Sequence, residues 1–127
     1  MSTPGVQTRE AIFAQPEWLR GVPGRVGERR FPEGHVLFTG CGTSFHAAQV
    51  GAELAGGAAV QALELLLKPR RADVLVAVSH EGTTPLTTEA VRAFDGPSWL
   101  VTGTAESPLA KLVNCLLYTS PSPRDRS

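Results

Sequence analysis

The sequence holds only two cysteines, Cys41 and Cys115. Their spacing matches no metal-ligand pattern and no disulfide framework, so neither a metal nor a disulfide organises the domain. With no disulfide framework, a reducing cytoplasm is the expected location. The chain has no excess of charge: twelve basic side chains balance twelve acidic ones. That balance gives no footing to a nucleic-acid or membrane-surface partner. No apolar run nears the ~18 residues needed to span a bilayer. The opening Met1-Ser2-Thr3-Pro4-Gly5 is polar and is not followed by the basic-then-apolar pattern of a secretion signal. What remains is the composition of a globular domain, 42% apolar and 19% charged over 127 residues, which is enough chain for one compact core.

Residues 1–34 read as a helical lead-in. Residues 1–7 read as a frayed terminus. Thr8 is placed to cap a helix over residues 9–14, and Pro16 to open a second one holding Trp18 and Leu19. Pro23, Gly24 and Gly27 break that pattern, and Pro32-Glu33-Gly34 reads as a turn. A repeating arrangement follows. His35 to Thr39 is a short apolar run that fits a buried strand. Gly40-Cys41-Gly42-Thr43-Ser44 is a glycine loop, and residues 45–55 form a helical stretch with Phe45, Ala48, Val50 and Leu54 as its expected buried face. Gly56-Gly57 closes it. Residues 59–63 fit a second strand, and Leu65-Leu66-Leu67 fits either a short helix or an apolar run. Val74 to Val78 is short and β-branched, as a strand covered on both faces should be. Thr84 is placed to cap a helix with Pro85 at its first position. Residues 98–102 form another strand, followed by the Gly103 loop and a short helix opened by Pro108.

Strands alternating with helices imply a parallel sheet with helices on both faces, an α/β fold. In such sheets ligands sit outside the carboxyl ends of the strands. The loops beginning at Gly40, Ser79 and Gly103 all lie there. The first presents backbone N–H groups at a helix start, with the hydroxyls of Thr43 and Ser44, an arrangement suited to an anion. It equally fits a plain strand-to-helix turn. The second adds Ser79, Thr83 and Thr84 before another helix start, where two hydroxyl-lined loops can converge on one phosphate or simply satisfy helix-end N–H groups. Neither loop carries a lysine, so a phosphate here would be held by neutral donors, unlike in a nucleotide P-loop.

The stretch from Val36 through Gly40-Cys41-Gly42-Thr43-Ser44 to Ala47 resembles the Cys-Gly-Thr-Ser region of the sugar-isomerase (SIS) family, in particular the isomerase half of glucosamine-6-phosphate synthase and its double-SIS relatives. Ser79-His80-Glu81-Gly82-Thr83-Thr84 stands where that family has Ser-Gln-Ser-Gly-Glu-Thr. Residues 15–20 resemble the family's helical lead-in, and residues 101–109 its next strand and loop. The resemblance covers roughly residues 9–114 and implies a flavodoxin-like three-layer sandwich, with residues 35–114 as the front part of the SIS domain. It also implies a sugar-phosphate ligand held by Gly42, Thr43, Ser44, Ser79, His80 and Thr84, with no cofactor and no metal, and a homo-oligomeric full-length parent. The second loop departs from the pattern at His80, Glu81 and Thr83. An inward carboxylate at Glu81 would repel a phosphate. His80 is either a contact to a sugar hydroxyl, an acid/base group near neutral pH, or a loop histidine without a chemical role. Glu64 matches an acidic position of the family but receives no role.

The implied function is phosphosugar binding, within an aldose–ketose sugar-phosphate isomerase or an amino-sugar-phosphate deaminase. Isomerisation needs a base within reach of a carbon-bound proton. The family's glutamate, histidine and lysine for that step come from further along the chain and have no counterpart here, so whether this chain is itself an enzyme stays open. Two other readings stand beside it. One is a non-catalytic phosphosugar-sensing module. The other is a dinucleotide-binding domain, since Gly40-x-Gly42 follows a strand, although Phe45 occupies the place of the third glycine. Residues 115–127 change composition abruptly and resemble the translated adaptor or vector tail of a truncated sequencing read. They are expected to be foreign to the domain, the alternative being a genuine disordered terminus.

Overall fold

The computed structural model describes residues 3–27, Arg30 and residues 33–118. Its elements are α1 (Val6–Val26), β1 (Val36–Gly40), α2 (Thr43–Ala55), β2 (Ala58–Gln61), α3 (Ala62–Leu67), β3 (Val74–Val78), α4 (Pro85–Ala93), β4 (Ser98–Thr102), a 3₁₀ turn (Leu109–Lys111) and β5 (Cys115–Tyr118). The five strands form one sheet in the order β2-β1-β3-β4-β5. Every neighbouring pair is parallel. This is the α/β architecture expected from the alternating elements.

The sheet separates two packed layers. On one side Leu37, Leu75, Ala77 and Leu100 join Ala62 and Leu65 of α3, Ala90 and Val91 of α4, and Leu109. On the other, Val36, Phe38, Val74 and Val76 join Ala48 and Ala52 of α2. Alternate residues of each strand serve opposite layers, as the two-residue period of a strand requires. β1 is buried along its whole length, and β3 in all but its last residue. That is why both read as unbroken apolar runs and not as alternating ones.

Two clamps set the register at the lower, amino-terminal edge. The backbone N–H of His35 donates to the Asp73 carboxylate at 2.6 Å, and the N–H of Asp73 donates to the His35 carbonyl at 2.8 Å. These bonds tie the approaches to β1 and β3. Asn114 does the same for β4 and β5: its side-chain oxygen accepts from the Ser98 N–H at 2.9 Å, and its own N–H donates to the Ser98 carbonyl at 2.9 Å. Cys115–Tyr118, set apart by composition with the tail, pairs with Trp99–Thr102 as β5. Residues 119–127 lie outside the described residues.

Two local expectations are corrected. The lead-in is one helix, not two, and it already includes Val6 and Gln7. Thr8 lies inside it, and Gly5 stands at its cap position. Pro16 and Pro23 are both within it. Ala11, Ala14, Trp18 and Val22 form a half-buried stripe at helical spacing that keeps its phase across Pro16, and α1 packs against β5. Pro16 is exposed, so the backbone bond it removes is lost on a solvated side, where it costs least. Second, α2 buries Ala48 and Ala52, while Phe45 is half-buried and Val50 and Leu54 are 61% and 85% exposed. Residues 50 and 54 lie across the helix from 48 and 52, and the small side chains are the ones that let the helix approach the sheet closely. Of the two readings open for Leu65-Leu66-Leu67, the short helix is the one formed, as part of α3. The turn expected at Pro32-Glu33-Gly34 falls partly outside the described residues; Gly34 has a positive φ of 96°.

Leu75 is fully buried at the centre of the sheet. Leu75→Ala should therefore cost about 2–5 kcal/mol of stability, read as a lower urea midpoint with an unchanged slope.

Candidate functional site

The strand order reverses direction between β1 and β3. β2 leaves β1 to one side, and β3 lies on the other. Loops that follow β1 and β3 therefore diverge, opening a crevice above the carboxyl ends of the two strands. The hydroxyl-bearing loops lie on its two sides.

The β1 loop is short because Gly40 permits it. A Cβ on Gly40 would come within 2.9 Å of the Ser44 backbone, so only glycine lets the first turn of α2 fold directly onto the strand end. Gly42 stands at the cap position with φ 58° and ψ −128°, and no side chain caps the helix. The N–H of Ser44 donates to the Cys41 carbonyl at 3.1 Å, and those of Phe45 and His46 donate to the Gly42 carbonyl at 3.1 and 3.3 Å. The helix start thus uses part of its own donors, and the amides left over for an anion narrow to those of Gly42 and Thr43. Gly42 and Thr43 are exposed and Ser44 is half-buried.

The β3 loop is more tightly built. Ser79 is fully buried. Its hydroxyl accepts from the Gly82 N–H at 3.1 Å and lies 3.1 Å from the Thr84 hydroxyl. Thr84 occupies the cap position of α4 with Pro85 behind it, as expected, but its side chain does not cap the helix; it turns to Ser79 instead. The consequence is chemical. Two hydroxyls carry two protons, and their mutual hydrogen bond uses one. When the buried Ser79 donates, the O–H proton of the half-exposed Thr84 remains for a ligand oxygen. Gly82 closes the loop with φ 69°, and a Cβ there would collide with the Ser107 side chain.

A link joins the two loops from below: the Cys41 Sγ lies 3.5 Å from the Thr87 hydroxyl in α4. His80 and Glu81 are both exposed. The structure thus brings Ser79 and Thr84 into direct contact and puts Gly42, Thr43 and Ser44 at the start of the adjacent helix. The residues missed from sequence are in the β4 loop. Gly103 N–H and the Thr102 hydroxyl each donate to the His80 carbonyl at 3.0 Å, and the Thr104 hydroxyl does so at 3.3 Å. The N–H of Leu109 donates to the Gly82 carbonyl at 3.2 Å. The Gly103 loop was visible in the sequence as a loop at the correct edge, but nothing there revealed that it grips its neighbour.

A cavity of about 530 Å³ between α3 and α4, lined by Leu65, Arg70, Arg71 and Phe94 among others, shares no residue with these loops. It lies toward the amino-terminal edge of the sheet. Among the described residues no cluster of side chains has the make-up of a metal site, and no helix is long and apolar enough to cross a membrane.

No family model matches the chain, and no curated protein matches it in sequence. Solved structures do match in fold. The C-terminal domain of glucosamine-fructose-6-phosphate aminotransferase from Francisella tularensis superposes with a TM-score of 0.74 at 17% identity, covering 94% of this chain and 41% of that one. A sugar-phosphate isomerase from Listeria monocytogenes, so described provisionally, gives 0.67 at 16% identity, covering 99% and 80%. The NanR protein of Vibrio vulnificus, complexed with ManNAc-6P, gives 0.58 at 21% identity, covering 92% and 50%. The chain therefore spans half or less of two of these three structures. With its parallel sheet, strand order and helix placement, the chain has the fold shared by the sugar-isomerase domains of phosphosugar isomerases.

Proposed function

We propose that this chain is a phosphosugar-binding SIS domain, with the phosphate held in the crevice between the β1 and β3 loops. The observation that carries the reading is the Ser79–Thr84 hydroxyl pair, whose spare proton stands beside two uncapped helix starts. Gly42 and Thr43 supply backbone donors, Thr43 and Ser44 supply hydroxyls, and the two helix dipoles favour negative charge at that point. His80 contributes at the mouth of the crevice, toward the sugar. This reading requires the exposed Glu81 to face solvent and not the phosphate, since its carboxylate would oppose a dianion.

The whole protein from which this domain comes is proposed to be a sugar-phosphate isomerase or an amino-sugar-phosphate deaminase acting in the cytoplasm as a homo-oligomer. The likeness to isomerase and aminotransferase domains supports that. The NanR neighbour, complexed with ManNAc-6P, supports sugar-phosphate binding, which the second reading, a binding module without catalysis, shares. A dinucleotide is disfavoured by topology: β3 lies beside β1, whereas the dinucleotide-binding order places it outside β2.

The test is titration of the chain with fructose 6-phosphate by calorimetry. A hydrogen bond to a charged group contributes about 1.5–3 kcal/mol, so Ser79→Ala should weaken binding by about 10- to 100-fold. Ser44→Ala should weaken it in the same direction. Unchanged affinity in both variants sinks the site. A second expectation concerns loop shape. Gly82→Ala forces a side chain into left-handed backbone against Ser107, which costs roughly 1–2 kcal/mol. It should lower the melting temperature and the affinity together, whereas Thr83→Ala, at an exposed position in the same loop, should lower neither.

A further inference from the structure

The β3 loop does not hold its own shape. Within it, both bonds converge on the Ser79 hydroxyl, one from the Gly82 N–H and one shared with the Thr84 hydroxyl, and neither holds the backbone of His80 or Glu81. The rest of its backbone is held from outside by the segment after β4. The His80 carbonyl receives three donors, the Thr102 hydroxyl, the Gly103 N–H and the Thr104 hydroxyl. A carbonyl oxygen has two lone pairs, so this is a crowded, fully used acceptor. Thr102 is only 2% exposed. It also accepts from the Thr104 N–H at 3.1 Å, which folds the β4 loop back on itself and aims it at His80. Gly103 fits so close to the His80 ring that a Cβ on it would come within 2.7 Å of Nδ1. Two residues on, Gly82 is pressed between the Ser107 side chain and the Leu109 N–H. Ser107, 6% exposed, is itself fixed by accepting from the Ala110 N–H at 3.1 Å.

We propose that Thr102 is a positioning residue for the anion-binding loop: through the His80 carbonyl it sets the path of residues 80–82, and so the place of the Ser79–Thr84 pair. The proposal rests on the reading of that pair as the phosphate contact. Thr102 touches no ligand. Its hydroxyl, the buried one of the three donors to His80, works with the Gly103 N–H and the Thr104 hydroxyl to hold a backbone that carries two exposed residues, His80 and Glu81, and a left-handed glycine. The β4 loop thus acts on the site without being in it, and anything that moves residues 102–109 moves the phosphate grip.

The experiment compares Thr102→Val, which keeps the shape and removes the hydroxyl, with Thr102→Ser, which keeps the hydroxyl. Affinity for fructose 6-phosphate and for inorganic phosphate is measured by calorimetry, and exchange of the Gly82 amide proton by NMR. Thr102→Val should weaken both ligands by about tenfold, the loss of one net hydrogen bond, and should speed Gly82 exchange. Thr102→Ser should restore both. Thr104→Val, which removes the outer donor to the same carbonyl, should give a smaller change of the same sign and serves if Thr102→Val does not fold. Wild-type affinity and wild-type Gly82 exchange in the valine variants overturn the proposal, as does equal weakening by Val and Ser. Unchanged affinity in Ser79→Ala overturns the site reading instead, because the exchange of Gly82 reports the brace without any ligand.

Discussion

The pairing of β1 with β3 is the constraint on which everything else rests. Both strands are buried on both faces, and their register aligns Leu37 with Leu75 and Thr39 with Ala77. That register ends the two strands at nearly the same height. Loops leaving them must start side by side, and they lead into α2 on one layer and α4 on the other, so their helices go to opposite faces. A crevice with two helix starts at its rim is the geometric result. The His35–Asp73 clamp reinforces it from the far end of the strands, where a slip of one residue would exchange the two apolar layers.

Chemistry is then assigned to residues by what the fold leaves unsatisfied. Both α2 and α4 begin without a side-chain cap. In a purely structural helix the side-chain oxygen of a threonine at the cap position accepts from a backbone N–H of the first turn. At Thr84 the oxygen is turned to Ser79, so the first turn of α4 stays open and the hydroxyl pair retains a proton. The two facts are one choice made twice: donors that a structural turn would have consumed remain directed at the crevice. The likeness of the fold to phosphosugar-binding domains agrees with the chemistry of those donors, although the two lines of argument are independent.

The strands and the crossover helices were legible in the sequence because they are governed by local patterns. Val74 to Val78 is unbroken, β-branched and short, and nothing but a buried strand suits it. Pro85 behind Thr84 announced the start of α4. The failures have physical causes of equal clarity. Two prolines in α1 suggested two helices, but their positions relative to the buried stripe, which no propensity records, decided for one. Val50 and Leu54 were expected inside beside Ala48; Ala48 is, but its partner in seating α2 is the small Ala52. The grip of the β4 loop on His80 was hidden for another reason. It is made chiefly by a backbone carbonyl and by residues twenty or more positions away, and neither leaves a trace in a local pattern.

The absence of lysine and arginine from the crevice loops has a consequence for how the site meets its ligand. A cationic pocket draws a phosphate from a distance, and salt weakens that attraction within a Debye length. A pocket of hydroxyls, amides and helix ends acts only at contact range. At the proposed site, capture would be governed by shape and hydrogen-bond direction and would vary less with ionic strength than in a lysine- or arginine-lined pocket. Such a site would distinguish anions more by where their oxygens lie than by how much charge they bear.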